Sequence, residues 1–316
     1  MRHRLFGCGH LGLVVGFAML TKGADWFVDG TASIADRLGI PQLVIGLTIV
    51  AMGTSLPEAA VSIAAATKGS AEITIGNIVG SNILNVLLIL GITSVIRVIS
   101  VQKSTVCIEI PYTIGVTVLL AFLGLTDGYV SRLDGAILWL FMILYLFYLL
   151  CMAKKGSQQA AEDDSEKKKP IWLLILMVLI GGGMIVLGSD VTVDAATVIA
   201  RHFGMSERFI GLTIVAFGTS LPELVTSVTA AIKGKSDIAM GNIVGSNIFN
   251  ILFVVGTSAL ITSVVYSPKF FVDSIVAIAT VVLLLLCVFR KYMLGRLGGL
   301  IMLACYGVYF VYLIND

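Results

Sequence analysis

One stretch of this chain occurs twice. Residues 46–96 begin GLTIVAMGTSLPE and pass through GNIVGSNILN, while residues 211–261 begin GLTIVAFGTSLPE and pass through GNIVGSNIFN. The offset is 165 throughout, without a gap, and about 30 of the 51 positions are identical. The shared letters are Gly, Ser, Thr, Asn, Pro and Glu, set among apolar residues. Composition makes that setting a membrane: 58% of the 316 residues are hydrophobic and 13% charged, against about 25% charged in a soluble domain. Polar and ionisable groups are costly in hydrocarbon, so a copied polar cluster reads as a site built once and duplicated.

Ten apolar segments approach or exceed the ~20 residues that cross hydrocarbon as a helix. They lie at about 11–33, 42–67, 71–96, 106–125, 133–152, 171–198, 209–232, 237–263, 270–289 and 295–313. The one long polar stretch, 154–170, carries both signs of charge and ends in Pro170, the mark of a surface linker. The duplication extends outward, because Gly23, Asp25 and Asp29 match Gly188, Asp190 and Asp194 at the same offset. Each half then holds five spans, and an odd number makes the second half enter from the opposite side. The expected fold is an all-α polytopic membrane protein of ten transmembrane helices. These form two inverted five-helix repeats, 1–152 and 171–316, joined by a polar linker at 153–170.

Thirteen Lys and Arg fall on the linker side, seven on the other, and Lys22 lies inside the first span. The linker is therefore expected in the cytoplasm and both termini outside, in a multi-pass protein of the cytoplasmic (inner) membrane. Arg2 and Arg4 lean the other way. The N-terminal run MRHRLFGCGHLGLVVGFAML looks like a signal peptide, but it continues into a segment with its own copy in the second half, so retention is expected. Five isolated cysteines, with no CxxC, suit packing. No basic run with interleaved aromatics suggests a nucleic acid partner, and the lipid bilayer is the surrounding medium.

GTSLPE, at 53–58 and 218–223, carries the chemistry. Pro57 has no N–H, so the carbonyl of Gly53 loses its helical partner and a broken or unwound helix with free carbonyl oxygens is expected. Glu58 follows Thr54 by four residues and Ser55 by three, so a carboxylate, hydroxyls and carbonyls converge on one side. All are oxygen ligands, which suit hard cations such as Ca²⁺ and Na⁺. In GNIVGSNILN, Asn77, Ser81 and Asn85 form a stripe at spacing four, and Gly76 and Gly80 permit close helix approach. The second copy repeats these with Asn242, Ser246, Asn250, Gly241 and Gly245. Asn82 and Asn247 lie off the stripe and are expected to cap or bridge backbone. Glu58 and Glu223, at equivalent places in inverted halves, should meet near the pseudo-twofold axis. Asp25, Asp29, Asp190 and Asp194 read either as helix-end caps or as a lining for the ion entrance. Glu72 and Asp237 are expected at helix starts, where the dipole favours negative charge.

These motifs resemble the two alpha repeats of the cation/calcium exchanger superfamily, in particular bacterial and archaeal sodium/calcium antiporters, over almost the whole chain. The resemblance implies Ca²⁺/Na⁺ antiport by alternating access, with the ions as transported cargo and no cofactor. It implies that Glu58 and Glu223 coordinate Ca²⁺ and also serve Na⁺, and that Thr54 and Thr219 contribute backbone carbonyls. Ser55, Ser220, Ser81 and Ser246 would complete sodium sites, with Asn85 and Asn250 at the centre. Many relatives carry Asp where this chain has Asn250, so two carboxylates are present here rather than three. One copy of the chain is expected to suffice.

No covalent step is required, so an enzyme is not expected. The rival within transport is Ca²⁺/H⁺ exchange on the same two glutamates, against which the extra Ser, Thr and Asn oxygens speak. A cation channel is a rival of another class, disfavoured by a shared midplane site. An intramembrane hydrolase would want a His or a paired Asp at the repeated motifs, and neither is there.

Overall fold

The computed structural model describes residues 2–68, 71–159, 170–205, 216–268 and 270–315. The first half contains α1 (Arg2–Leu38), α2 (Gln42–Ile45, a π turn Gly46–Val50, then Ala51–Thr54) and α3 (Leu56–Thr67). It continues with α4 (Glu72–Leu84, a π turn Asn85–Ile89, then Leu90–Ile96), α5 (a π turn Thr105–Glu109, then Ile110–Asp127) and α6 (Arg132–Gln159). The second half contains α7 (Ile171–His202), a single turn at Ala216–Gly218, α8 (Leu221–Ile232), α9 (Ser236–Phe249, a π turn Asn250–Val255, then Gly256–Ile261), α10 (Phe270–Val288) and α11 (Arg296–Asn315). Among the described residues, eight helices are long and apolar enough to cross a membrane, and α2 with α3 makes a ninth span bent by 51°. Of the segment expected at 209–232, residues 209–215 lie outside the described residues.

Local chemistry sets the ends. Helix α1 stops where Gly39 takes a positive φ and Pro41 follows, and α5 stops at Gly128, also at positive φ. Pro170 precedes α7 in an extended conformation. Two helices run past the segments marked from hydropathy. Helix α1 is 37 residues long, well beyond the 11–33 marked from hydropathy, because its polar N-terminal residues continue the helix. Helix α6 runs to Gln159, so the polar linker expected from 153 begins as helix; residues 160–169 lie outside the described residues. Glu72 and Asp237 stand at helix starts as expected.

The central helices are α4 and α9, the most deeply buried of the candidate spans. Around them lies the main apolar core, with Ile75, Ile78, Ile83, Ile243, Ile248 and Leu252 at its middle. A second, smaller core lies beneath α1, through Leu20, Ala24, Phe27 and Val28 against Ile185, Leu221 and Ala230. Helices α1 and α7 pack against each other so closely that a Cβ on Gly23 would sit 2.8 Å from the Gly181 carbonyl oxygen. A Cβ on Gly181 would sit 2.7 Å from that of Gly23. Only glycine permits this backbone contact.

Two short antiparallel ribbons close the ends of the bundle, and each takes one strand from each half. At one end β1 (Ile99–Ser100) pairs with β4 (Met293–Leu294); at the other β2 (Tyr129–Val130) pairs with β3 (Val264–Val265). Helix α5 joins β1 to β2, so the ribbons lie at opposite ends. Helix α6 leaves β2 and runs toward the linker, so β1/β4 marks the linker end and β2/β3 the far end.

Candidate functional site

The break expected at GTSLPE falls on a single residue. Ser55 leaves the helical region (φ −85, ψ 9), and α3 starts again with Pro57 in its first turn. Ser220 repeats this (φ −95, ψ 6) ahead of α8 and Pro222. The helix is bent rather than unwound, because Ser55 N–H still reaches the Ala51 carbonyl and Ala59 N–H the Ser55 carbonyl, both at 3.1 Å. Glu58 and Glu223 thus sit in the first turns of α3 and α8, where the positive end of the helix dipole stabilises a carboxylate. The carbonyl-bearing end of α2 faces the same region, and such ends suit a cation.

Both glutamates are fully buried, and each accepts a serine hydrogen bond from the opposite half. Ser55 Oγ donates to Glu223 Oε1 at 2.8 Å, and Ser220 Oγ donates to Glu58 Oε1 at 3.1 Å. Thr219 also reaches the Glu58 carboxylate, and Thr54 and Ser246 reach that of Glu223. Thr54 Oγ1 lies 2.9 Å from Asn242 Oδ1, and Ser246 Oγ lies 3.4 Å from the Ala51 carbonyl. Ser81 is buried on α4 one turn before Asn85. A further residue enters from α7: Ser189 Oγ donates to the Gly218 carbonyl at 2.7 Å, the carbonyl that Pro222 leaves without its helical partner. Its counterpart in the first half is Ala24, which has no donor to offer Gly53.

Four asparagines hold the two halves together. Asn82 Nδ2 donates to the Asn247 carbonyl at 3.1 Å, and Asn247 Nδ2 donates to the Asn82 carbonyl at 3.2 Å. This is the backbone bridging expected of them. A backbone carbonyl only accepts, so the amide N–H₂ must face it and Oδ1 must face the other way. That oxygen then takes the next residue: Asn85 Nδ2 donates to Asn247 Oδ1 at 3.0 Å, and Asn250 Nδ2 to Asn82 Oδ1 at 3.1 Å. The chain of donors fixes Asn85 and Asn250 with their own oxygens free. Each of these two opens a π turn, the wider winding often found at functional sites. Asn77 and Asn242 brace from behind, through Nδ2 to Ser62 Oγ and Ser227 Oγ, both at 2.9 Å.

Glu58 Oε2, Glu223 Oε2, Asn85 Oδ1 and Asn250 Oδ1 are buried without a hydrogen-bond partner. They form two pairs at the offset of 165, and all four are oxygen. Buried polar atoms in native folds are nearly always paired, and a matched set of acceptor oxygens is the kind of lining a hard cation would fit. Among the described residues no three His, Cys, Asp or Glu side chains converge. The set therefore has two formal charges and neutral oxygens for the rest.

Asp25 and Asp29 do not cap a helix end. They lie within α1, and Lys233, just past α8, approaches Asp25 at 3.1 Å and Asp29 at 2.8 Å. Burial lowers the Lys233 ammonium pKa, but Asp29 and Asp25 outweigh it and leave the pKa above the ordinary lysine value. One buried acid escaped the sequence reading. Glu109, in the π turn that opens α5, is fully buried, and Tyr148 on α6 donates to its Oε1. A lone carboxyl in an apolar span was the available signal. It belongs to a tyrosine cluster with Tyr112 and Tyr145, whose rings stack at 5.4 Å, apart from the four oxygens above. Glu109→Gln is therefore expected to leave calcium affinity within about twofold, since no contact to the ion is lost. Isothermal titration of the purified variant checks this.

Comparison with known proteins gives consistent results. The profile of the family described as "Sodium/calcium exchanger protein" matches residues 9–151 and 173–315. The inner membrane protein YrbG of Escherichia coli K12 is 36% identical over 302 residues, covering 92% of each chain. The sodium/calcium exchanger MaX1 of Methanosarcina acetivorans is 32% identical over 340 residues, covering 95% of this chain and 97% of its own. Among solved structures, the sodium-calcium exchanger NCX_Mj, soaked with zero Na⁺ and Ca²⁺, superposes with a TM-score of 0.84 at 33% identity. That match covers 97% of this chain and 99% of the other.

Proposed function

This chain belongs to the sodium/calcium exchanger family, and from that premise we propose that it exchanges Ca²⁺ for Na⁺ across the cytoplasmic membrane by alternating access. The observation that carries this reading is the matched quartet of unpartnered oxygens from Glu58, Glu223, Asn85 and Asn250. In this reading those four residues, with Thr54, Thr219, Ser55, Ser220, Ser81 and Ser246, are the ion ligands. The fold is two inverted five-helix repeats. Two features support that fold: the crossed Ser–Glu and Asn–Asn bonds, and the ribbons, in which β1 and β3 are offset equivalents at opposite ends. An inner membrane relative supports the location.

The mechanism is competition for one set of oxygens. Two carboxylates balance one Ca²⁺, or accept Na⁺ ions spread over the neighbouring hydroxyl and amide oxygens. Without an ion, two like charges face each other in a low dielectric, which opposes movement of the empty protein. With the charge balanced, the barrier falls and the site is handed to the other face. The ion gradients then set the direction.

The test is calcium uptake into proteoliposomes with Na⁺, K⁺ and H⁺ gradients imposed one at a time. Uptake driven by an outward Na⁺ gradient is the expected result. Uptake that follows a pH gradient and ignores Na⁺ would overturn the reading in favour of Ca²⁺/H⁺ exchange, and single-channel currents would overturn it in favour of a pore.

A further inference from the structure

The offset of 165 relates more than the site. It maps Lys233 onto Lys68, and Asp25 and Asp29 onto Asp190 and Asp194. Both triads have the same construction: two aspartates one helical turn apart on α1 or α7, so on one face, and a lysine just beyond the end of α8 or α3.

Their states differ. Lys233 Nζ contacts both aspartates and also donates to the Asp25 carbonyl at 3.2 Å. Lys68, Asp190 and Asp194 are all exposed, and among the described residues no ion pair joins them. Their positions differ too. Arg97, beside β1, donates to the Ile232 carbonyl at 2.9 Å, which puts Lys233 at the linker end. Lys68 immediately precedes the stretch that leads into α4, whose other end is at Arg97, so Lys68 lies at the far end, as do Asp190 and Asp194 along α7.

We propose that the two triads are mutually exclusive ion-pair latches, one at each end of the ion pathway. The linker-end latch of Lys233 with Asp25 and Asp29 is closed in this structure, and the far-end latch of Lys68 with Asp190 and Asp194 is open. This rests on the alternating-access reading above. Exclusivity follows from the glycine seam, because α1 and α7 touch backbone to backbone and must move as one body. Motion that brings α7 against the end of α3 carries α1 away from the end of α8. The charge balance also alternates. A closed triad has a net charge of −1, while an open one leaves two unneutralised carboxylates at the exposed mouth, where they draw cations inward.

The experiment uses the full-length protein in liposomes, with nitroxide pairs reporting the α1–α8 distance at the linker end and the α7–α3 distance at the far end. Lys233→Gln should lengthen the first and shorten the second; Lys68→Gln should favour the present arrangement. In sided flux assays the apparent calcium affinity at the linker face should rise about two- to fivefold with Lys233→Gln, the effect a half-exposed ion pair supports. It should fall with Lys68→Gln. Lys233→Arg should behave as wild type, and Lys233→Asp combined with Asp29→Lys should restore the wild-type distances. These charge-keeping variants carry the test if the glutamine variant folds poorly. Equal or same-direction shifts for the two lysine variants, or a charge swap that fails to restore the distances, would overturn the latches. If wild-type protein lacked Na⁺-driven calcium uptake, the exchange reading would fall, while the distances would still judge the latches.

Discussion

Replacing either Glu58 or Glu223 with glutamine is expected to weaken calcium binding about a hundredfold or more, as for breaking a buried charge pair. The two losses should be similar, because each carboxylate has one bonded and one unpartnered oxygen. A sharper test lies in the couplings. Ser55 is three residues from Glu58, yet it donates to Glu223. In a double-mutant cycle on the stability of the ion-free protein, Ser55→Ala should couple with Glu223→Gln by about 1.5–3 kcal/mol, the range for a hydrogen bond to a charged group, and more weakly with Glu58→Gln. Ser220→Ala should show the reverse preference. Denaturant unfolding of the single and double variants without ions gives the numbers. Coupling within a half instead of across halves would refute the crossed geometry.

The second large effect is expected at Asn250. Its Nδ2 is the donor to Asn82 Oδ1, and Asn82 cannot turn to help because its own Nδ2 holds the Asn247 carbonyl. Asn250→Asp removes that donor and sets two acceptor oxygens against each other in a buried place. The ion-free protein should lose about 2–4 kcal/mol, read as a thermal midpoint lower by about 5 °C or more. The same substitution adds a third carboxylate, so calcium should raise the midpoint further in the variant than in the wild type. Asn85→Asp should behave alike through Asn247. An ion-free midpoint unchanged by either substitution would mean that the asparagine lattice is not as described.

The sequence made some of this legible and hid the rest for identifiable reasons. The duplication, the breaks at GTSLPE and the burial of the two glutamates follow from local composition, since proline and a carboxylate have the same effect wherever a membrane helix contains them. The roles of Asn82 and Asn247 were also readable, because they fall off the polar stripe. The crossed pairing of Ser55 with Glu223 was not, because residue spacing encodes neighbours on one helix and this bond joins residues 168 positions apart. The π turns at Asn85 and Asn250 were hidden because they rotate the helix face without a marker such as Pro. Lys233 counted only toward the Lys and Arg excess on the linker side, and Glu109 passed as part of an apolar span. In each case the partner, Asp25 with Asp29 or Tyr148, comes from another helix.

The lengths of α1 and α7 have a consequence for the bilayer itself. At 37 and 32 residues and 1.5 Å per residue, they extend about 55 and 48 Å, against a hydrocarbon core of ~30 Å. Their outer faces are apolar, with Leu11, Val14, Phe17, Trp172, Leu179 and Leu187 exposed. The pair must tilt or project, and any shift along the membrane normal moves that greasy band relative to the lipid tails. Each ångström of mismatch costs a fraction of a kcal/mol. Acyl-chain length then weighs on the balance between conformations, and the thickness of the host membrane becomes a working parameter of turnover alongside the ion gradients.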